Sequence, residues 1–185
     1  MSGIPITLVS LAEIDPVVEP EETGDTFEEN ARLKARYYAA ASGLLTVAED
    51  SGLAIDALGG EPGVRSARFL RPDASYPERF AEIFQRLADQ PGALRTARFV
   101  AALACVDGGH VVYETSGVVE GKIADSPRGS AGFGYDPIFY YPPYGRTLAE
   151  VSEADKIAIA HRGIVFRSFA RWLSDGGRAV LDPVR

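Results

Sequence analysis

The stretch ARFVAALACVD (97–107), followed by Gly108-Gly109 and HVVYETSGVVEGKI (110–123), decides the fold class of this chain. Both runs are rich in the apolar and β-branched residues that favour strands, and the glycine pair between them is typical of a hairpin turn. Strand and helix patterns alternate in the part of the chain before this hairpin. We therefore predict an α/β fold with a mixed β-sheet and flanking helices.

The most clearly marked helix lies in TFEENARLKARYYAAASG (26–43). Thr26 and Glu29 have the spacing of a capping box, and Gly43 suits the position after the last helical turn. Apolar residues repeat at helical spacing between these two ends, which predicts one buried face. A second amphipathic helix is expected after Pro77, because proline is well tolerated in a first turn.

Shorter patterns complete the predicted elements. IPITLVSL (4–11), LLTVAED (44–50) and IFYY (138–141) have the composition of strands. The strand at 44–50 is expected to end at its acids, with a turn at Gly52. Ser152 is expected to cap a helical region near the C-terminus.

Composition limits the classes of function. Lys and Arg number 19 against 26 Asp and Glu, a net charge of −7, so a general positive field for long nucleic acid is lacking. No apolar run approaches the roughly 20 residues that span a bilayer, and the N-terminus lacks the features of a signal peptide. The single cysteine, Cys105, has no internal partner and suits a reducing cytoplasm. We expect one domain over residues 1–185, with no membrane partner.

Carboxylates in two places are candidates for metal binding or acid–base chemistry. Asp50 and Ser51 follow an apolar run, and Glu21 and Glu22 lie just before the first helix. Mg²⁺ usually takes one or two carboxylates together with substrate phosphates, so Glu22 and Asp50 could hold it. The plainer interpretation of the glutamates is a solvated loop beside a helix N-terminus.

The segment GFGYDPIF (132–139) could bind a flat ring. Its glycines, including Gly134, allow close backbone approach, while Phe133 and Tyr135 offer faces for stacking. Asp136 is held toward extended geometry by the proline that follows it. An aromatic core cluster at a bend is the alternative, and we prefer it for Phe139 and the tyrosine after it.

Three basic residues near the C-terminus are candidate anion or keto-oxygen ligands: Lys156, His161 and Arg162. Lys156 and Arg162 could equally be exposed helix charges, and His161 a packed or surface residue. Neither a G-x-S-x-G nucleophile motif nor a G-x-x-x-x-G-K-[ST] loop occurs, and His and Cys lack the spacing of zinc sites.

Taken in order, these segments resemble the inosine triphosphate pyrophosphatase family, which acts on non-standard purine nucleoside triphosphates. The resemblance is carried by Glu22–Ala35, Ala48–Gly63 and Ser66–Phe69, by GFGYDPIF, and by KIAIAHRG (156–163). It implies a long mixed sheet forming two lobes around a central cleft, typically in a homodimer. It also implies Mg²⁺-dependent hydrolysis of ITP, dITP or XTP to the monophosphate and pyrophosphate.

The resemblance further implies roles for single residues. Asp50 is similar to the family's general base and metal ligand, with Glu22 as the second metal carboxylate and Glu21 as a competitor. The implied substrate-binding residues are Ser51, Phe133, Gly134, Tyr135, Asp136, Lys156, His161 and Arg162. The family's first strand and its T-G-N-x-x-K segment have no counterpart in this sequence, so we expect that strand and helix to be missing.

Two other functions remain open at this point. One is a catalytically weak nucleotide-binding protein of the same fold, which the absent T-G-N-x-x-K segment would favour. The other is the related class that hydrolyses modified pyrimidine triphosphates, although GFGYDP favours the purine family.

Overall fold

Five strands and four α-helices form the regular structure of the residues that this computed structural model describes, 6–14 and 16–177. The helices are α1 Phe27–Ser42, α2 Tyr76–Ala88, α3 Glu153–Ile159 and α4 His161–Ser174, and the strands are β1 Thr46–Ile55, β2 Thr96–Asp107, β3 His110–Ile123, β4 Phe139–Tyr141 and β5 Arg146–Thr147. No helix in this part of the chain combines the length and the apolar composition needed to cross a bilayer.

The strands lie in one sheet in chain order, β1-β2-β3-β4-β5. β4 runs antiparallel to β3, with Tyr140 opposite Lys122, and antiparallel to β5, with Tyr140 opposite Thr147. Asp56, directly after β1, bonds to Thr96 and Arg98 at the start of β2, so these two strands also run in opposite directions.

The α/β class with flanking helices is therefore confirmed. The parallel pairs expected of a mixed sheet are not found among the five described strands. The β2–β3 connection is a tight turn of the kind that joins antiparallel strands, whereas the connection from β1 to β2 is long and contains α2. The β2–β3 turn is the predicted one, and Gly108 and Gly109 both have positive φ, at 52° and 85°.

Helix α1 begins and ends where its caps predict. The Thr26 hydroxyl accepts a hydrogen bond from the Glu29 backbone N–H, and Gly43 ends the helix in the left-handed region. Its buried residues include Ala31, Ala35 and Ala39, at helical spacing. The helix is thereby fixed along one face, which sets the direction of the polar residues beside that face.

Two strand predictions are wrong in part. Residues 6–10 of the predicted strand at 4–11 have no regular structure and Leu11–Glu13 form a 3₁₀ turn, while residues 4 and 5 lie outside the described part. β1 continues past its acids to Ile55, because Leu53 and Ile55 belong to the core and are fully buried. Gly52 is therefore inside β1 rather than in a turn.

The C-terminal helical region consists of two helices. The Ser152 side chain caps α3 as predicted, by accepting a hydrogen bond from the Asp155 backbone N–H. Ala160 then has extended backbone angles, φ −53° and ψ 134°, and α4 begins at His161. The break places Lys156 and His161 on different helices.

The chain groups into two compact units. One contains Met1–Asp50, Ala102–Ser116 and Ile164–Arg185, and the other contains Ser51–Ala101 and Gly117–Gly163. The core of the first includes the buried face of α1, the buried part of β2 from Leu103 to Val106, and Val165 and Phe169 of α4; the core of the second includes Leu53, Ile55, Ile83, Ile138 and Phe139.

Candidate active site

Two carboxylates of the first unit share one lysine ammonium. Lys34 Nζ lies 2.7 Å from Glu22 Oε1 and 2.8 Å from Asp50 Oδ1. The three side chains are only 10–19% exposed, so water screens their charges weakly. Burial lowers the pKa of Lys34, but hydrogen bonds to Asp50 and Glu22 outweigh it and leave that pKa raised. Lys34 is therefore a firmly protonated cation.

Asn30 holds Asp50 from the other side. Its Nδ2 donates to Asp50 Oδ2 at 3.3 Å, and its Oδ1 accepts from the Gly24 backbone N–H at 2.8 Å. Asn30 is completely buried and lies one turn before Lys34 on α1, so both side chains point to the same region. The two Asp50 oxygens thus have separate donors, which fixes the orientation of the carboxylate.

The environment of Asp50 raises its pKa above the usual range. Burial is the main cause, and the negative charge of Glu22 also raises this pKa. The hydrogen bonds from Lys34 and Asn30 lower it, but by less. A carboxylate with a raised pKa is a better proton acceptor near neutral pH. Asp50 therefore combines fixed orientation with increased basicity, as a general base requires.

Glu22 rather than Glu21 reaches this group. Glu22 bonds to Lys34 and is partly buried, whereas Glu21 is exposed to solvent. Two carboxylates that converge on one positive charge are a donor set that suits Mg²⁺, which completes its coordination with water and substrate phosphate. Within residues 6–14 and 16–177, no group of three or more His, Cys, Asp or Glu side chains is arranged to hold a metal.

A cavity of about 210 Å³ lies in the second unit. All eight predicted substrate-binding residues line it: Ser51, Phe133, Gly134, Tyr135, Asp136, Lys156, His161 and Arg162. The rest of the lining is mostly apolar or small: Gly52, Ser66, Ala67, Tyr76, Phe99, Val119, Leu148, Ile159 and Ala160. Residues that are more than 100 positions apart in the sequence thus meet around one concave surface.

The aromatic loop presents one exposed ring. Phe133 is 65% exposed, and Lys156 Nζ lies 4.5 Å from its ring centroid. The Asp136 carboxylate pairs with Lys156 and accepts a hydrogen bond from the Phe133 backbone N–H at 2.8 Å. Gly132 has φ 76°, and a side chain there would lie 2.2 Å from Asp136 Oδ2. Only glycine therefore fits at the start of this loop.

Tyr135 is not the exposed stacking face that we predicted. Its side chain is 4% exposed, its ring packs edge-on against Tyr76 at 5.4 Å, and its hydroxyl donates to the Ser66 carbonyl at 2.8 Å. Burial raises the pKa of Tyr135 to about 12. The ring belongs to the cavity wall and its core support, because the turn at Gly134 directs it inward. The prediction that Phe139 belongs to the core is confirmed, since it is fully buried.

His161 is a neutral ring in the cavity wall. It stacks on Phe99 with a centroid distance of 4.9 Å and an interplanar angle of 8°. Burial lowers its pKa to about 4, helped by the positive charges of Arg162 and Lys156. At neutral pH the imidazole therefore offers one N–H donor and one acceptor, and the cavity's positive charge comes from the neighbouring Lys156 and Arg162.

Sequence reasoning missed several residues that the structure adds. Lys34 was assigned no role, although its spacing from Asn30 on α1 places both on one helix face. The sequence does not single out Tyr76 or Phe99, and yet both line the cavity. For Lys34, the i, i+4 spacing from Asn30 was a usable signal in the sequence. For Tyr76 and Phe99, contacts across about 60 residues leave no local signal in the sequence.

Comparison with known proteins agrees with the motifs. Curated relatives include a dITP/XTP pyrophosphatase of Thermus thermophilus, 47% identical over 172 residues (92% of this chain and 81% of the relative). Another is a dITP/XTP pyrophosphatase of Exiguobacterium sibiricum, 46% identical over 154 residues (83% of this chain and 78% of the relative).

Solved structures are also similar. The Ham1 protein of Staphylococcus aureus has a TM-score of 0.84 at 36% identity, covering 90% of this chain and 86% of that one. A HAM1 protein of Coxiella burnetii has a TM-score of 0.83 at 41% identity, covering 86% and 82%. The model of the Ham1 family matches residues 2–172. With the motifs, the fold and the extent of these matches in agreement, this chain belongs to the Ham1 family.

Proposed function

We propose that this protein hydrolyses the triphosphates of deaminated purines, ITP, dITP and XTP, to the nucleoside monophosphate and pyrophosphate. The observation that carries the proposal is the cavity in residues 51–163, around which all eight predicted substrate-binding residues meet. The names of the curated relatives support the same reaction. Such an activity would remove damaged purines from the nucleotide pool.

Asp50 is the proposed general base. Its carboxylate accepts a proton from the attacking water, which then bonds to phosphorus as the phosphoanhydride bond breaks and pyrophosphate leaves. Lys34 and Asn30 keep the carboxylate oriented, through contacts of 2.8 and 3.3 Å. Ser51, the next residue in β1, is the proposed hydroxyl contact to the substrate.

Mg²⁺ is the proposed cofactor, held by Glu22 and Asp50, and when bound it would spread the negative charge of the phosphate oxygens. Lys34 already lies within 3 Å of both carboxylates and supplies a positive charge of its own at that place. We propose that its ammonium donates to a phosphate oxygen of the bound substrate. Mg²⁺ and Lys34 together would outweigh the two carboxylates and offset part of the substrate's charge, despite the net charge of −7 of the chain.

The cavity of the second unit is the proposed base pocket. One face of the exposed Phe133 ring stacks on the purine, and Lys156, His161 and Arg162 provide donors for the 6-keto oxygen. Adenine carries an amino group at that position and would leave those donors unpaired. Each buried donor left without a partner costs roughly 1–3 kcal/mol, so adenine nucleotides should be rejected.

The test is product analysis with a panel of triphosphates and Mg²⁺. We expect monophosphate and pyrophosphate from ITP, dITP and XTP, and little from ATP or dTTP. Preference for dTTP would instead indicate the pyrimidine class. Tight binding of ITP by calorimetry without any product would indicate the catalytically weak nucleotide-binding protein.

We also propose that the protein forms a homodimer and is located in the cytoplasm, as the family resemblance implies. Light scattering of the purified chain measures the first, with a monomer mass as the contrary result. Cell fractionation measures the second.

A further inference from the structure

Arg79 is a buried arginine with no acidic partner. It lies on the inner face of α2 and is 3% exposed. Its Nη1 donates to the Ser66 carbonyl at 3.2 Å and its Nη2 to the Pro72 carbonyl at 3.4 Å. Its Nε is buried with no hydrogen-bond partner, and no carboxylate lies within ion-pair distance of it among the residues that the structure describes.

Such a residue costs stability. A charge removed from water is expensive unless a counter-charge accompanies it, and a buried donor without a partner adds to the cost. The other buried residues on this side of α2 are Phe80, Ile83 and Leu87. A methionine or leucine at position 79 would suit that apolar face. The cost of the arginine therefore points to a role outside folding.

Its position indicates the role. Ser66 and Tyr76 line the base cavity, and the Arg79 guanidinium contacts both, with its central carbon 4.9 Å from the Tyr76 ring centroid. The Ser66 carbonyl also accepts the hydrogen bond of the Tyr135 hydroxyl. The positive charge thus lies directly behind the cavity wall, where burial keeps water from screening it.

The other charges around the cavity do not cancel this one. Asp136 carries the negative charge of the lining, and it is paired with Lys156. His161 has a pKa of about 4, so it is neutral at physiological pH. The pocket therefore has a positive field within a chain whose net charge is −7.

Deaminated purines differ in how readily they become anions. Xanthine carries two ring carbonyl groups, which delocalise the negative charge left when a ring N–H ionises. Xanthine therefore ionises near neutral pH. Hypoxanthine has one such group and remains neutral there. A positive field behind the pocket distinguishes these two bases by charge rather than by shape.

We propose that Arg79 is a specificity-determining residue whose buried charge favours purine bases that can carry a negative charge, so that this protein prefers XTP to ITP. The inference rests on the proposed function of the cavity. Arg79 acts through the wall residues Ser66 and Tyr76 and does not touch the substrate.

The test compares kcat/KM for XTP and ITP at mildly alkaline pH, where xanthine is ionised and hypoxanthine is neutral. The wild type should prefer XTP. In Arg79→Met the ratio of XTP to ITP should fall about tenfold, the effect of one unit charge roughly 12 Å from the base at an effective dielectric constant near 20. The melting temperature should stay the same or rise, because an unpaired charge is lost.

Three variants serve as controls. Arg79→Lys keeps the charge and should keep most of the XTP preference, whereas Arg79→Gln is neutral and polar and should lose it even if Arg79→Met does not fold. Arg86→Met removes a charge from the exposed side of α2, where Arg86 pairs with Glu61 and Glu82, and should leave the ratio unchanged.

Affinities of XMP and IMP measured by calorimetry should show the same order without catalysis. An unchanged XTP to ITP ratio in both neutral variants would overturn the inference, as would equal losses for both substrates with a lower melting temperature. Absence of pyrophosphate release from either substrate by the wild type would instead contradict the proposed function.

Discussion

At the scale of single residues, the hydrogen bonds around Asp50 give the sharpest test of the proposed chemistry. Asp50→Asn keeps the shape and size of the side chain but removes its ability to accept a proton. We expect turnover of ITP to fall by at least about 10²-fold, the usual contribution of a positioned general base, with nucleotide affinity changed much less. Steady-state kinetics and calorimetry measure the two quantities. An equal loss of rate and affinity would show that Asp50 serves binding alone.

Phe133 is the residue for which exposure distinguishes binding from packing. Its ring is 65% exposed, so replacing it by alanine costs little core packing. Phe133→Ala should weaken ITP binding by roughly 1–3 kcal/mol, the value of one base–aromatic stack, and leave the melting temperature nearly unchanged. Tyr144→Ala is a suitable control, since Tyr144 is an exposed aromatic outside the cavity lining. Unchanged ITP affinity in the Phe133 variant would contradict the stacking role.

The lowered pKa of the His161 imidazole should make the stability of the protein depend on pH. This pKa is about 4 in the folded protein against an ordinary value of 6.5, so the unfolded chain binds the proton more readily. The neutral ring therefore contributes stability that is complete above about pH 6.5 and is lost as pH falls toward 4, in total about 3 kcal/mol.

The check is urea unfolding of the wild type and of His161→Phe across this pH range. Phenylalanine can keep the stack on Phe99 but cannot take up a proton. The stability difference between the two proteins should move in favour of the variant as the pH falls from 6.5 to 4. Parallel curves over this range would contradict the assignment of a neutral, buried imidazole.

Among the elements, α1 carries the two side chains, Asn30 and Lys34, that orient the candidate general base Asp50 of β1. Its capping box at Thr26 fixes the first turn, and Asn30 and Lys34 follow on the next two turns. Thr26→Ala should reduce the free energy of unfolding by about 1 kcal/mol, the typical value of an N-cap. Urea unfolding measures it, with Ser75→Ala at the cap of α2 as a comparison of the same kind. No loss in either variant would show that the caps are dispensable.

The elements also show which features of the fold were accessible from sequence. Caps, helical spacing and the glycine pair at 108–109 are local, so α1, α2 and the β2–β3 hairpin were predictable. The end of β1 was not, because Gly52 is a turn residue by composition. In the structure a side chain at Gly52 would lie 2.4 Å from Ser66 Oγ, so glycine is needed there for a close approach that only the tertiary structure reveals.

Part of the candidate site was also predictable from sequence and part was not. All eight predicted substrate-binding residues line one cavity, because they belong to sequence motifs whose residue types indicate ligand binding. The inward direction of Tyr135 could not be predicted, because it depends on Tyr76 and on the Ser66 carbonyl, more than 50 positions away. Lys34 and Arg79 were missed because sequence alone does not show which charges are buried.

For the whole molecule, the distribution of charge bears on how an acidic protein can act on a highly charged anion. The net charge of −7 would repel a triphosphate at long range. Cations lie instead at two places, at Lys34 and around the base cavity, and Mg²⁺ held by Glu22 and Asp50 would make the first of them net positive. The substrate class should therefore depend on these local groups rather than on the general field of the protein.

The most direct measurement is pyrophosphate release from dITP and dATP, assayed in parallel with Mg²⁺ for the wild type and for Asp50→Asn. Because adenine lacks the 6-keto oxygen, we expect the wild type to prefer dITP by about 10²-fold or more, and the variant to release little from either although it still binds dITP. Equal rates on the two substrates, or an Asp50→Asn variant as active as the wild type, would contradict this expectation.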